Sequence, residues 1–239
     1  MKSDFNPTGT YLRIIYELEE VGIVPRRVRI RERTAQTAAT VGQAVARMVR
    51  DGLVIDGVER RVEFTEIGYA RAVAVVRKQR LAECLLVNVI GLDRERGHVE
   101  ACLWQHVISD NVERRIIALL DDPTVSPWGL PIPGLTEPRP SSVRAVGAAR
   151  ASRVNEPAVQ RLDEFARCGG GTTEVCAIGH PFRSDPTLHL QLASIGIVVG
   201  ATLTVSAPSR SDQPVSVRTA RATVKLPTAL AQAVHVRAD

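Results

Sequence analysis

His98, Cys102 and His106 follow one another at four-residue intervals, a spacing that projects three side chains from one face of a helix. Imidazole and thiolate are good ligands for transition metals. Three ligands spread over two turns of a straight helix cannot all reach one ion. The spacing therefore predicts two sites, each completed from elsewhere, with Glu83 as a plausible partner for His98 and Gln105 beside His106. The competing reading makes Cys102 a small buried apolar residue and the histidines satisfied core or surface groups. Catalysis finds little support. No HExxH, GxSxG or P-loop pattern occurs, and a hydrolytic zinc site would need a third ligand and a general base. Gly169-Gly170-Gly171 has no following helix and lysine, so it reads as a flexible joint rather than a phosphate cradle. A metal-dependent hydrolase or a metal carrier stays as the alternative from another class.

These residues need a helical scaffold, and the stretch from Val24 to Phe64 suggests what the scaffold serves. Thr37 can cap a helix in which Val41, Val45 and Met48 recur at helical spacing, while Thr40, Gln43, Arg47 and Arg50 lie off that face. Gly52 ends it, and Asp56-Gly57 between two short apolar runs predicts a hairpin whose loop extends through Glu59-Arg60-Arg61. Helix, turn, helix and hairpin in this order are the sequence form of a winged helix-turn-helix, whose second helix enters the DNA major groove. A plain amphipathic helix pair with a solvated basic face would share part of this pattern.

The chain has 239 residues, a formal charge of +5 and 44% hydrophobic residues, room for one large domain or two to three small ones. The basic balance is compatible with a polyanionic partner. Only Lys2, Lys78 and Lys225 are lysines, so the arginine bias also fits a GC-rich genome and weakens any argument from arginine clusters alone. No apolar run approaches the roughly 18 to 20 residues of a membrane span, and the first residues lack a signal-peptide core. The expectation is a cytoplasmic protein without a membrane partner, with Cys84, Cys102, Cys168 and Cys176 reduced and no CxxC pair.

Asn6-Pro7 opens the first helix, with Tyr11, Ile14, Ile15 and Leu18 as its apolar stripe and Glu17, Glu19 and Glu20 facing water. After the hairpin, Thr65 caps a long helix reaching about Val89, with Ile67, Ala70, Ala74, Arg77, Leu81 and Leu85 on its period. Further helices are predicted over 98–108 and 109–120, a helical region suited to a twofold dimer. Residues 123–140, "PTVSPWGLPIPGLTEPRP", read as an extended linker whose boundary runs to about Glu156. Beyond it, strand-like runs at 173–178, 195–199, 202–205, 215–217 and 222–225, with a turn at Pro208-Ser209-Arg210-Ser211, predict a small β-barrel. Residues 226–234 fit either one helical turn or an edge strand.

Taken together, "TYLRIIYELEEVG", "TVGQAVARMVRDGLV", "RKQRLAECLL", "GLD", "HVEACLWQHVISDNVERRI" and "SPWGLPIPG" resemble the diphtheria toxin repressor / iron-dependent regulator family of bacterial metalloregulators, over roughly the first 135 residues. The resemblance implies an α+β chain: a winged helix-turn-helix domain at 1–65, a helical dimerisation and metal-binding domain at 66–122, a Pro-rich linker at 123–156 and an SH3-like barrel at 157–239. It implies a homodimer on a double-stranded operator, with ferrous or manganous ion ordering the N-terminal helix. Thr37, Ala39, Thr40 and Gln43 would face bases or the groove edge, and Arg27, Arg47, Arg50 and Arg60 would meet phosphates. Ala39 stands where the family has a proline, and Gly42 where it has a serine.

The metal positions depart further. The family's primary site of Met, Cys, Glu and His corresponds to Thr10, Cys102, Gln105 and His106. The ancillary site corresponds to Gln79, Glu83 and His98, with Asp185 as the nearest barrel carboxylate and Leu188 in the last place. Gln105 removes an anionic oxygen and Thr10 a thioether, which penalises ferrous and manganous ions most, while zinc or copper could still use Cys102 and His106. The expectation is a dimeric transcriptional repressor with a weakened or lost ferrous response. Two mechanisms stand open: the DNA-binding form is held without metal, with a Gln105 hydrogen bond in place of the ion, or a different ion or ligand occupies the altered pocket.

Overall fold

The computed structural model describes residues 7–135, 159–207 and 213–238. The Asn6 cap, the turn at Pro208 to Ser211 and the linker beyond Leu135 lie outside them. Two compact units divide the chain, one built from residues 1–82, 101–124 and 132–154, the other from 83–100, 125–131 and 155–239.

In the first unit, α1 (Pro7–Glu20) buries Leu12, Ile15 and Leu18. The expectation that its glutamates face water fails at all three, with Glu19 half-buried. Glu17 is buried and paired with Arg13 at 2.9 Å, and Glu20 holds the fully buried Arg80 through both carboxylate oxygens at 2.8 and 2.6 Å. Charges enter the interior here because each finds an oriented partner. α2 (Arg27–Thr34) buries only Ile30. α3 (Ala38–Arg50) is capped by Thr37, whose hydroxyl accepts from the Thr40 amide at 3.1 Å, and it buries Val41, Val45 and Met48. Gly52 ends it at φ +68°, the left-handed conformation that costs glycine little. β1 (Val54–Asp56) and β2 (Val62–Phe64) form the hairpin, with Val54 opposite Phe64.

α4 (Glu66–Cys84) follows, its Gly68 amide capped by the Thr65 hydroxyl at 3.0 Å. Gly68 lies so close to the hairpin that a Cβ there would stand 1.7 Å from the Leu53 carbonyl oxygen. The expected apolar stripe is only partly right. Ile67 is 69% exposed, while Ala72, Val76, Arg80, Leu81 and Ala82 are buried, so α4 faces the interior with a polar-containing side. A π-helical turn at Leu85–Val89 completes the helix, and Gly91 breaks it at φ +84°. α5 (Arg94–Trp104) starts and ends four residues before the predicted 98–108 span. His106 therefore lies in a turn after the helix, not on its face. α6 (Asp110–Leu119) is capped by Ser109.

The second unit contains a six-stranded antiparallel sheet in the order β3-β8-β4-β5-β6-β7. Its strands are β3 (Val159–Arg161), β4 (Gly170–Ile178), β5 (Thr202–Ser206), β6 (Val215–Arg218), β7 (Thr223–Leu226) and β8 (Val234–Arg237). Short helices α7 (Leu162–Arg167), α8 (Pro186–Ser194) and α9 (Thr228–Ala231) connect them. Two sequence expectations fail. Residues 195–199 are not a strand but the buried turn that follows α8, with Ile197 inside the core. Gly170 and Gly171 are not a joint: they open β4 opposite Ser206 and Val205, and a Cβ at Gly170 would stand 2.3 Å from the Val205 carbonyl oxygen. Residues 125–131 are not an extended spacer either. Val125 and Pro131 bridge, Ser126 donates to the Leu130 carbonyl at 2.8 Å, and Trp128 is fully buried in the barrel core.

Candidate functional site

The outward face of α3 carries Thr37, Ala39, Thr40, Gln43, Arg47 and Arg50, all exposed, opposite its buried apolar face. Thr37 and Thr40 also bond hydroxyl to hydroxyl at 2.8 Å. Gly42 has nothing within 4 Å of where its Cβ would be, so no packing requirement explains a glycine in mid-helix. Beyond α3, the hairpin loop carries exposed Arg60 at φ +57° after Glu59 at φ +55°. Arg27, at the start of α2, is half-buried and reaches Asp56 at 2.6 Å. Helix face, hairpin tip and flanking arginines together form a cationic, polar surface of the kind that enters a major groove.

Thr10, Cys102, Gln105 and His106 do come together, brought there by α1, α5 and the turn after α5. The Gln105 side-chain amide donates to the Cys102 carbonyl at 2.7 Å and lies 3.2 Å from His106 Nε2, which is 3.4 Å from the Thr10 hydroxyl. An amide nitrogen can only donate, so His106 Nε2 accepts and the ring proton sits on Nδ1. Burial, helped by the Arg13 charge, holds His106 below its ordinary pKa, which keeps that acceptor neutral. Nδ1 and Cε1 press on Gly9, where a Cβ would stand 3.2 and 3.1 Å from them. Gln105 Oε1 is buried without a hydrogen-bond partner among the described residues. The set contains no carboxylate, and the amide nitrogen faces the Cys102 carbonyl. Among the described residues no three His, Cys, Asp or Glu side chains are grouped to hold an ion. These donors do not fit a hard divalent ion.

Two of the ancillary positions meet: Glu83 and His98 form a buried pair at 2.6 Å. Gln79 lies fully buried one turn earlier on α4. Asp185 caps α8, its Oδ1 accepting from the Thr187 and Leu188 amides at 2.9 and 3.2 Å. The barrel residue that sequence reading missed is His189, whose Nε2 meets Glu95 at 2.7 Å. Its ring packs edge-on against Trp128 with centroids 4.9 Å apart, and Trp128 packs against His98 at 6.4 Å. Burial outweighs the pull of Glu95 and holds His189 below its ordinary pKa. Burial, then the Glu83 charge, push the Cys84 thiol up to about 12.

Comparison with known proteins follows this layout. The family described as "Iron dependent repressor, N-terminal DNA binding domain" matches residues 6–60, and "Iron dependent repressor, metal binding and dimerisation domain" matches 65–134. The iron-dependent repressor IdeR of Mycobacterium leprae is 42% identical over 229 residues, 96% of both chains. The chain belongs to the iron-dependent repressor family. It is thus a DNA-binding transcriptional regulator, of a family of metal-dependent repressors. The FeoA domain matches residues 168–238, which identifies the barrel as SH3-like. The diphtheria toxin repressor of Corynebacterium efficiens is 58% identical over 137 residues, 57% of this chain and 60% of that one. A manganese-dependent transcriptional repressor complex with manganese superposes with a TM-score of 0.70 at 31% identity, over 96% of this chain and 98% of that one. No helix among the described residues is long and apolar enough to cross a membrane.

Proposed function

We propose that this family member is a homodimeric, sequence-specific repressor, without enzymatic activity, whose DNA-binding form is held by hydrogen bonds in place of a ferrous or manganous ion. The observation that carries this reading is the Gln105 amide, 2.7 Å from the Cys102 carbonyl and 3.2 Å from His106. The resemblance assigns the metal to these same groups, and there the ion ties α1 to α5. Here Thr10 of α1 lies 3.4 Å from His106 in the turn after α5, so a neutral contact joins α1 to the turn that Gln105 braces. On this reading the domains run 1–65, 66–122, 123–156 and 157–239, and the protein acts in the cytoplasm, where chromosomal DNA is. Thr37, Ala39, Thr40 and Gln43 face the groove, and Arg27, Arg47, Arg50 and Arg60 face phosphates.

The test is operator affinity by fluorescence anisotropy on a DNA library, under chelator and then with ferrous, manganous or zinc ion. Tight specific binding under chelator, unmoved by any ion, is the expected result. Binding that appears only with one ion would overturn the metal-independent reading. If that ion is zinc, Cys102 and His106 remain its natural ligands.

A further inference from the structure

Between the start of α2, the first turn of α3 and the hairpin tip lies an open depression of about 300 Å³, lined by Arg26, Arg27, Arg31, Arg60, Glu59 and Ala38 among others. Four arginines and one glutamate are among the residues that line it. Glu59 Oε2 holds Arg26 Nη2 at 2.6 Å. Just beside it, Asp56 Oδ2 holds Arg27 Nη2 at 2.6 Å. Both carboxylates belong to the hairpin, while Arg26 precedes α2 and Arg27 opens it, so neighbouring arginines meet the hairpin in the same way. The hairpin is fixed at its root, because the Val62 amide donates to the Pro25 carbonyl at 2.7 Å and Arg26 bridges Arg61. Its tip is held by two successive left-handed residues, Glu59 and Arg60. The carboxylates are therefore delivered to the arginines by the backbone. All four side chains remain solvent-accessible, between 31% and 71%, and pairs so exposed are weak.

A carboxylate on a guanidinium occupies the same donors that a phosphodiester would take. The depression also opens beside Ala38, at the positive end of a 13-residue helix. We propose that this depression seats one backbone phosphate of duplex DNA, and that Glu59 and Asp56 occupy its arginines until that phosphate displaces them. The inference rests on the DNA-binding reading and adds Arg26 and Arg31 to its contacts. It also gives the hairpin a second role. By neutralising two arginines in the free protein, it lowers the affinity for arbitrary duplexes, whose binding is almost wholly phosphate contact. The operator, read in addition through α3, can meet the cost of displacement.

A four-protein comparison tests this: wild type, Glu59→Gln, Arg26→Ala and the double variant, each full-length. Anisotropy is read on a selected operator duplex and on a scrambled duplex of equal length, across a salt series. All the altered side chains are exposed, so folding is preserved. With Arg26 present, Glu59→Gln should tighten both duplexes by roughly three- to tenfold and steepen the slope of log affinity against log salt by up to about 0.9, the value for one phosphate. In the Arg26→Ala background the same substitution should change affinity less than twofold. Equal gains in both backgrounds would reduce Glu59 to general repulsion of DNA and overturn the gate. No gain in either would overturn it as well. A wild-type chain that binds no duplex at all would overturn the regulator reading itself, a result distinct from both.

Discussion

Gln105 donates its side-chain amide to the Cys102 carbonyl three residues before it, at 2.7 Å, and the same nitrogen lies 3.2 Å from His106 Nε2. One neutral group thus joins a backbone oxygen and an imidazole. A carboxylate at position 105 could not donate to the Cys102 carbonyl, having no proton to give, and could meet the imidazole only by accepting from a ring N–H.

Changing Gln105→Glu together with Thr10→Met should therefore convert the protein. Under chelator the double variant should lose operator affinity by at least tenfold, and ferrous ion should restore it. Titration of iron at fixed duplex concentration checks this. Gln105→Ala, which removes the bridge without creating a site, should lose affinity that no ion recovers.

Arg80 and Glu20 make a second test, directed at stability. Arg80 is fully buried, and although burial pulls its pKa down, Glu20 more than compensates and raises it. Arg80→Ala should remove both guanidinium bonds from Glu20 at a partly buried position and destabilise by about 3 to 5 kcal/mol. Arg80→Met with Glu20→Leu should recover most of that in urea unfolding, because two apolar groups need no partner.

Glu19 sets a pH dependence. Burial, opposed by Arg61 and reinforced by Glu63, pushes its pKa up from 4.5 to about 7. The folded state thus holds this proton more tightly than the unfolded chain. Its contribution is fully present below about pH 4.5 and is lost as pH rises through about 7. Glu19→Gln should flatten stability over that window and raise it at pH 8. Chemical denaturation midpoints from pH 4.5 to 8 would show the difference, and an unchanged slope would contradict the assignment.

Two glycines inside helices should respond in opposite ways to alanine. At Gly68 a Cβ would stand 1.7 Å from the Leu53 carbonyl oxygen, so Gly68→Ala must separate the hairpin from α4 and should cost more than about 2 kcal/mol. At Gly42 a Cβ meets nothing, and Gly42→Ala should stabilise by about 0.5 to 1 kcal/mol. Thermal unfolding separates the two. Any loss of DNA affinity in the more stable Gly42→Ala protein would show that the groove comes close to that backbone.

The elements most legible in the sequence are those governed by local rules. Thr37 and the Val41, Val45, Met48 recurrence determine α3 within 13 residues. The Thr10, Cys102, Gln105, His106 set was legible through the family resemblance, but the Gln105 bond to Cys102 was not, because its acceptor is a backbone carbonyl that no side-chain motif displays. Asp185 attracted attention as a carboxylate, yet one of its oxygens caps a helix. His189 escaped notice because its partner, Glu95, lies 94 residues away. Ile195 to Val199 look like a strand because β-branched residues suit any buried extended segment, and a buried turn selects the same types. Glu17 and Glu20 seemed solvated because helical periodicity says where a side chain points and not whether an arginine waits there.

The position of Trp128 bears on how such a protein can be cut and recombined. Its ring fills the barrel core, Gly129 lets the chain pass where a Cβ would stand 1.9 Å from the Cys176 carbonyl oxygen, and Ile178 donates to the Trp128 carbonyl at 3.0 Å. The barrel thus takes part of its interior from a segment that precedes its first strand by some thirty residues. A gene fragment beginning at β3 would encode a shell with a hole the size of an indole. A cassette meant for grafting the barrel onto another DNA-binding module has to carry residues 125–131 with it, in cis or as a peptide supplied in trans, and the donor's own tryptophan becomes the junction's most useful fluorescent reporter.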